Sequence, residues 1–199
     1  MNFLTSITTF TKALLRGPLL NLRHWSSHYQ VMLRHPTALV SFPIVFQYDD
    51  ISAIKLGDYV VIGPFSEIVV EVKSPFSSIS GKLTLENHVA IGAHANIRAT
   101  GGEILIGRNT LIGQYVSLIA SNHTITSGKI YRELGWDELK TGIFIDENVW
   151  IGANVTILPG CSVGRNSVIG AGSLITKSVP ANEIWVGVPA RKLKDITAE

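Results

Sequence analysis

The 199-residue sequence is short of cysteine and of long hydrophobic runs, and each shortage removes a class of protein. Cys161 is its only cysteine, so an intrachain disulfide is impossible and a cysteine-based zinc site cannot be built. No run of eighteen apolar residues occurs, so we expect no membrane-spanning helix. The net charge is only +2 and no basic stripe is present, which argues against nucleic-acid binding.

Acidic residues are absent before Asp49, and this opening region follows different rules from the rest of the chain. Its formal charges are Lys12, Arg16, Arg23 and Arg34. Apolar residues at roughly helical spacing between Phe3 and Leu15 predict a short amphipathic helix that stops near Gly17-Pro18. Residues 1–37 therefore form either a helical cap over the open end of the fold or a basic segment that touches an anionic membrane surface.

A period of six residues runs from Ile145 to Pro180. Each hexad opens on a branched aliphatic or similar apolar residue and has a small residue fifth. The fourth position is taken by Asn or Gly, at Asn148, Asn154, Gly160, Asn166 and Gly172. A period of six fits neither a helical stripe nor strand alternation, so each hexad is a short extended segment plus a turn. Asn and Gly accept positive φ at low cost, which predicts a corner at the fourth position of each hexad.

Three such corners close one triangular coil, and stacked coils bury the first-position residues as a ladder. This is the hexapeptide repeat of parallel β-helices. The sequence resembles the hexapeptide acyltransferases, and the left-handed twist of the prism is implied by that resemblance. We expect a mainly β protein with a left-handed parallel β-helix of about five to six coils, an N-terminal helical segment and an extended loop. The expected divisions are 1–37, the β-helix over 38–180, and a tail over 181–199 that packs back along the prism.

The regular phase breaks in three places. An insertion from Ser74 to Thr84 is predicted to leave the prism at a corner, and three extra residues are absorbed near Gly101-Gly102-Glu103. The longest surplus covers 124–144 and contains Tyr131 and Trp136. A loop this long inside a tight repeat is usually functional or disordered, and its aromatic content favours an ordered loop.

His123 ends the hexad directly before that loop. A neutral imidazole there can take a proton from an attacking hydroxyl or amine. In sugar acetyltransferases of the resembled family a histidine at this place is the catalytic base, so the resemblance implies that role for His123. Asn122, Tyr131 and Trp136 are the candidates for contacts with the acceptor. The loop begins Thr124-Ile125 instead of the His-Pro common in the small-sugar enzymes, which leaves the acceptor open.

The resemblance to galactoside and maltose acetyltransferases also implies a role for Asn96, which would steady the thioester carbonyl or the acceptor. A corner hydrogen bond is the alternative for Asn96. The resemblance further implies acetyl-CoA as co-substrate, held by the C-terminal coils, with Trp150 as a flat apolar wall for the pantetheine arm. The residues expected to contact acetyl-CoA are Trp150, Ala153, Ala171, Gly172, Thr176, Lys177 and Arg191.

The leading hypothesis is an acyl-CoA-dependent O-acetyltransferase that acts on a sugar hydroxyl of a surface polysaccharide or a lipid-linked glycan precursor. We expect no metal, a homotrimer with sites between subunits, and a cytoplasmic location. The alternative in which residues 1–37 touch a membrane surface would place the protein at the inner face of the cytoplasmic membrane. An N-acetyltransferase on an amino sugar would use the same parts.

Two other classes of protein stay open. A γ-carbonic-anhydrase-like zinc enzyme would need His88, His94 and His123 to converge, although the first two occupy fourth-position corners, where histidine tolerates positive φ. A non-catalytic scaffold would show nothing special where the repeat breaks.

Overall fold

The computed structural model describes residues 22–197, which form one helix, three sheets and two short 3-10 turns. The helix covers residues 22–34 and packs against the first coil through the buried Val31. The predicted helix between Phe3 and Leu15 lies outside the described residues. Within residues 22–197, no helix is long and apolar enough to cross a membrane.

The three sheets form the faces of a triangular prism. Face A contains β1 (Leu39–Val40), β4 (Val61–Ile62), β7 (Ala90–Ile91), β10 (Leu111–Ile112), β13 (Trp150–Ile151), β16 (Val168–Ile169), β18 (Glu183–Gly187) and β19 (Ala190–Asp195). Face B contains β2 (Val45–Tyr48), β5 (Glu67–Glu71), β8 (Asn96–Thr100), β11 (Ser117–Ile119), β14 (Thr156–Ile157) and β17 (Leu174–Ile175). Face C contains β3 (Ile54–Leu56), β6 (Lys82–Leu85), β9 (Glu103–Ile106), β12 (Ile143–Ile145) and β15 (Cys161–Val163).

Successive strands of one face come from successive coils, and apart from the β18–β19 pair all neighbours in the three sheets are parallel. Face B has six strands, so residues 22–197 make six coils. The 3-10 turns cover Ile51–Ala53 and Tyr131–Glu133. The predicted left-handed parallel β-helix is confirmed.

Left-handed backbone turns the chain at the predicted corners. Asn148, Asn154 and Asn166 have φ values of 55°, 57° and 60°, and Gly160 and Gly172 have 74° and 70°. Asn side chains also bond from coil to coil, because Asn148 Nδ2 donates to Asn166 Oδ1 over 2.9 Å and Asn166 Nδ2 donates to Asn182 Oδ1 over 3.0 Å. The fourth-position rule therefore holds at all five predicted Asn and Gly corners.

The earlier coils use aromatic residues and histidine at the same corners. His88 and His94 have φ of 61° and 60°, as their place in the hexad predicts. His94 stacks between Phe65 and Tyr115, with ring centroids 5.1 and 4.6 Å away. His88 stacks on Tyr59 at 5.3 Å. Both histidines are thus corner residues held by aromatic neighbours.

The core is the ladder of first-position residues. On face A it consists of Ile62, Ile91, Ile112, Ile151 and Ile169, which stand in register and are at most 4% exposed. Each such side chain contributes about 1.5–3 kcal/mol when fully buried. Trp185 follows Ile169 in register and ends the ladder. Cys161 is only 5% exposed in the inward fifth slot that the repeat assigns to it.

One boundary and the course of the C-terminal tail differ from the sequence prediction. Ile143 and Phe144 belong to β12, so the long loop ends two residues before the predicted 144, because pairing with β9 begins at Ile143↔Ile104. The prediction that the tail over 181–199 packs back along the prism is wrong for its described part. β18 instead continues face A in parallel with β16, and β19 folds back on β18 as an antiparallel hairpin.

Candidate active site

His123 lies where face B ends and the long loop begins. Its Nδ1 atom lies 3.0 Å from the carbonyl oxygen of Leu134. A carbonyl oxygen can only accept a hydrogen bond, so Nδ1 carries the proton in this contact. In the neutral ring the lone pair is then on Nε2. The imidazole is exposed in the single chain, so its Nε2 atom is held in orientation without being buried.

Two aromatic rings stand edge-on to His123. The centroid of the Phe76 ring is 5.7 Å from that of the imidazole at an interplanar angle of 69°, and that of Trp136 is 6.2 Å away at 85°. Phe76 and Trp136 pack on each other at 6.0 Å. Edge-to-face contacts of this kind are favourable for aromatic groups. The ring of His123 is therefore fixed by one hydrogen bond and two aromatic edges.

Hydrogen bonds tie the insertion around Phe76 to the long loop. Trp136 N donates to the carbonyl oxygen of Phe76 over 2.8 Å. Oε1 of Glu138 accepts from Ser77 Oγ over 2.8 Å and from Ser78 N over 2.6 Å. The bond from Ser77 and those from Ser78 hold the pKa of the Glu138 carboxyl below its usual value. We call this set of contacts the clasp.

Trp136 also anchors the loop to the prism. The corner residue Gly101 has a φ of 59°, and a Cβ atom at this position would overlap the Trp136 ring. A further contact joins the base of the loop to face B, since Thr100 Oγ1 lies 3.4 Å from Ser121 Oγ. The long loop is thus packed on the prism beside His123.

The other two acceptor candidates are also in this region. The backbone carbonyl of Asn122 accepts from Asp137 N over 2.8 Å, which is part of the antiparallel bridge between His123 and Trp136. Tyr131 lies in the 3-10 turn and is 55% exposed. The structure therefore groups Asn122 and Trp136 with His123 and leaves Tyr131 on the outer surface of the loop.

Asn96 lies at the opposite end of face B from His123. It opens β8, in register with Ser117, whereas Thr100 at the other end of β8 contacts Ser121. The four steps from Asn96 to Thr100 correspond to about 13 Å of strand. The side-chain Oδ1 of Asn96 is buried, and no group in residues 22–197 donates a hydrogen bond to it. One chain does not bring Asn96 and His123 together.

The residues predicted to contact acetyl-CoA fall into two groups. Ala153, Ala171 and Gly172 meet at one corner, where Gly172 N donates to the carbonyl oxygen of Ala153 over 2.8 Å. A Cβ atom at Gly172 would meet nothing within 4 Å, so this corner is open and has little side-chain bulk. Trp150 precedes this corner on face A, in register with Leu111 and 57% exposed.

The second group lies at the C-terminal end of the prism. Thr176 and Lys177 follow β17 and are exposed, and Lys177 Nζ lies 5.6 Å from the ring centroid of Trp185. Arg191 lies in β19 and donates from Nη1 to the carbonyl oxygen of Ala190 over 2.8 Å. Thr176 and Lys177 therefore lie at the same end of face B as His123, two coils further along, because β17 pairs with β14 and β14 with β11, whereas Arg191 lies at the end of face A.

A groove of about 520 Å³ opens beside the long loop on face C, with Ile79, Glu103 and Phe144 among its lining residues. None of the predicted site residues lines this groove. His88 and His94 lie at different corners from each other. In the described part of the chain no three His, Cys, Asp or Glu side chains are grouped closely enough to hold a metal ion.

Sequence reasoning missed three members of the site. Phe76 had a weak signal, as the one aromatic residue in a serine-rich insertion. Leu134 acts through its backbone carbonyl, which no side-chain pattern reveals. Glu138 pairs with a serine 60 residues away, and such distant pairs leave no local signal.

Residues 142–177 match the family model of the bacterial transferase hexapeptide (six repeats). The putative colanic acid biosynthesis acetyltransferase WcaF of Escherichia coli is 33% identical over 141 residues, which cover 71% of this chain and 69% of that protein. The galactoside O-acetyltransferase of Lactococcus lactis is 34% identical over 139 residues, which cover 66% of this chain and 65% of that protein. The chain belongs to the hexapeptide-repeat transferase family.

Among solved structures, a mutant of the N-acyltransferase AntD from Bacillus cereus, in complex with dTDP-4-amino-4,6-dideoxyglucose and coenzyme A, has the same fold. Its TM-score is 0.68 at 21% identity, over 81% of this chain and 82% of that one. The chain spans only 45% to 65% of the length of five of the curated relatives that it matches.

Proposed function

We propose that the protein is an acyl-CoA-dependent O-acetyltransferase that moves an acetyl group from acetyl-CoA to a sugar hydroxyl, with His123 as general base. The observation that carries the proposal is the hydrogen bond from His123 Nδ1 to Leu134, because it leaves the Nε2 lone pair available to a substrate. Membership of the hexapeptide-repeat transferase family supports the reaction class. The name of the relative WcaF, a putative colanic acid biosynthesis acetyltransferase, supports a polysaccharide acceptor. Within that class we propose a surface polysaccharide or its lipid-linked precursor.

In this proposal His123 first accepts a proton and then donates it. Nε2 takes the proton of the acceptor hydroxyl while the hydroxyl oxygen attacks the thioester carbonyl carbon. When the carbon–sulfur bond breaks, the imidazolium returns that proton to the leaving sulfur, so the products are the acetyl ester and the free thiol. General-base catalysis of this kind contributes about 10²–10⁴-fold in rate. Phe76 and Trp136 keep the ring in the orientation that this exchange requires.

Acetyl-CoA would lie along the open corner formed by Ala153, Ala171 and Gly172, where side chains are small. Trp150 would supply an apolar wall for the pantetheine arm, and the cations Lys177 and Arg191 would bind phosphate oxygens. Thr176 lies next to Lys177 at the nucleotide end. Open space at Gly172 supports close approach of a ligand to the backbone here.

We further propose that the site is completed between subunits of a homotrimer. Asn96 and His123 are at opposite ends of face B, so a single chain holds the two proposed catalytic groups apart. Face A also presents an exposed apolar column on its outer side, in which Leu39 is 67% and Leu111 is 54% exposed. A second copy packed on this column would cover it and could bring its own catalytic group to the cleft.

The test measures release of CoA thiol from acetyl-CoA in the presence of galactosides, glucosides and amino sugars. The wild type is compared with His123→Ala and with His88→Asn, a matched corner variant in which asparagine retains the positive φ. We expect kcat to fall by about 10²–10⁴-fold for His123→Ala and to stay unchanged for His88→Asn.

Three results would contradict the proposal in different ways. Unchanged turnover in His123→Ala removes His123 as the base. Turnover with amino sugars alone changes the reaction to N-acetylation. Binding of acetyl-CoA without thiol release on any acceptor favours a non-catalytic scaffold.

A further inference from the structure

The helix over residues 22–34 has three distinct faces. Its inward face packs on the first coil through Val31, and the rings of His28 and His35 bond to the carbonyl oxygens of Val40 and Ile54 at 3.1 and 3.3 Å. These contacts fix the rotation of the helix on the prism. The remaining two faces are therefore presented to the outside in a defined way.

One outward face is apolar. It is formed by Leu22, Trp25, Tyr29 and Leu33, which recur at spacings of three and four and are 55–65% exposed. Phe42 of the first coil extends it, since its ring centroid lies 4.8 Å from that of Trp25. We call these five residues the apolar arc. No group in residues 22–197 covers it, and an exposed contiguous apolar surface of this kind marks an interaction site.

The face beside the apolar arc is polar and basic. It carries Arg23 and Arg34, with Gln30 between them, all exposed. Neither arginine forms an ion pair with an acidic group of the described residues. The first 48 residues contain no Asp or Glu, and Lys12 and Arg16 add two further positive charges before the helix.

The nearest acidic side chains already have partners. Asp49 accepts from the backbone N–H groups of Val72 and Lys73, and Asp50, which is close to Arg34, accepts from the backbone N–H of Ser52. Glu67 pairs with Arg98 over 3.2 Å. These carboxylates offset part of the local positive charge without covering the arginines.

We propose that the apolar arc docks on the surface of an anionic lipid bilayer. Trp and Tyr are the residues that favour the membrane–water interface, and an apolar helical face flanked by arginines fits a helix that lies in the plane of that interface. The positive charge of Arg23 and Arg34 favours an anionic surface. A second copy of the chain is disfavoured, because its own apolar arc would bring the same arginines against them. Docking would place the prism beside lipid-linked acceptors, and this consequence rests on the proposed function. Binding to the bilayer itself does not depend on acetyl transfer.

The experiment uses the full-length protein with sedimenting vesicles of phosphatidylcholine, alone or with about one third phosphatidylglycerol. We expect binding to the anionic vesicles only. The double variant Trp25→Ser, Tyr29→Ser should lower the partition coefficient by about tenfold or more. Arg23→Gln and Arg34→Gln should each lower it about fivefold. Ile125→Ser, which removes a still more exposed apolar side chain elsewhere, should leave it unchanged.

Location is tested by quenching of tryptophan fluorescence with brominated lipid. Trp25→Phe keeps the apolar arc, so it should bind as the wild type does but lose the quenched component. The proposal is overturned if the wild type binds neither kind of vesicle. It is also overturned if the double variant binds anionic vesicles normally, which would place the contact within residues 1–21. If the wild type does not bind vesicles and the double variant has a lower assembly mass in solution than the wild type, the apolar arc is instead a subunit contact.

Discussion

Glu138 and Ser78 are 60 residues apart in the sequence, yet Oε1 of Glu138 accepts a hydrogen bond of 2.6 Å from the backbone N–H of Ser78. The same oxygen accepts from Ser77 Oγ. Through this carboxylate, the insertion that carries Phe76 is held to the loop that carries Trp136. The geometry around His123 therefore depends on a residue that does not touch its ring.

Replacing Glu138 by alanine should loosen that geometry. Without the clasp, Phe76 and Trp136 are less firmly held against His123, and misplacement of a catalytic group by about 1 Å can cost 10²-fold in rate. We expect acetyl transfer to fall about tenfold to a hundredfold in Glu138→Ala. Glu138→Gln keeps one acceptor oxygen and should lose less. If kcat is unchanged in both variants, the clasp does not contribute to the rate of acetyl transfer.

The clasp should also respond to pH. Its hydrogen bonds lower the pKa of Glu138 from an ordinary value of 4.5, so the ionised form is favoured in the folded state. The stabilisation is fully present above that ordinary value and is lost as the pH falls through the lowered folded pKa. Tryptophan fluorescence of Trp136 should change in that acidic window, and Glu138→Gln should lack this transition. An identical titration in both proteins would assign the change to another group.

Gly101→Ala should destabilise the protein more than Gly128→Ala. Both glycines have positive φ, 59° and 73°, so both substitutions incur about 1–2 kcal/mol of backbone strain. Only at Gly101 would the new Cβ atom meet the Trp136 ring, which adds about 1–3 kcal/mol of overpacking. Denaturant unfolding measures the difference in the free energy of unfolding. Equal losses at the two sites would mean that Trp136 moves aside at no cost.

Asn166→Ala should be more costly than Asn166→Gly. Asn166 has a φ of 60° and bonds on both sides, to Asn148 and to Asn182. Both variants lose these exposed side-chain bonds, but alanine also incurs about 1–2 kcal/mol of left-handed strain that glycine avoids. Thermal unfolding should therefore rank wild type above Asn166→Gly, and Asn166→Gly above Asn166→Ala. The reverse order of the two variants would show that the corner strain is relieved locally.

The thiol of Cys161 should be unreactive in the folded protein. It is 5% exposed, and burial raises its pKa, so little thiolate forms near neutral pH. We expect no reaction with a disulfide reagent until the protein unfolds, and then one thiol per chain. Cys161→Ser should cost about 1 kcal/mol or less, because Ser173 in the equivalent slot bonds to the carbonyl of Gly170 over 2.6 Å. Rapid labelling of the native protein would show that this slot opens.

The fold could be predicted because each hexad repeats the same local instructions. A first-position Ile faces inward, and a fourth-position Asn or Gly turns the corner, so the prediction could be checked against five hexads in a row. Even Tyr59, which is a poor corner residue by type, follows the position that the period assigns to it, with a φ of 57°. The tail was predicted wrongly because Ala181 to Asp195 has no such period to indicate where its strands pair.

The site could be predicted only as far as the repeat and the family resemblance reach. His123 is a candidate because the period fails immediately after it, and Trp136 is a candidate because an aromatic loop fills the gap. The separation of Asn96 from His123 was not predicted, although Asn96 directly precedes the first-position Ile97 and His123 follows the equivalent Leu118 by five residues. Both lie on the same face of successive coils, and their distance depends on how far along each strand they stand.

By itself, the sequence determined the prism, since a six-residue period with inward aliphatic residues and left-handed corners leaves the backbone one regular way to coil. Tertiary structure alone decided what surrounds His123. The Leu134 carbonyl, Phe76 and Glu138 come from two insertions outside the repeat, and their meeting depends on packing and hydrogen bonds between distant segments, which no local pattern encodes.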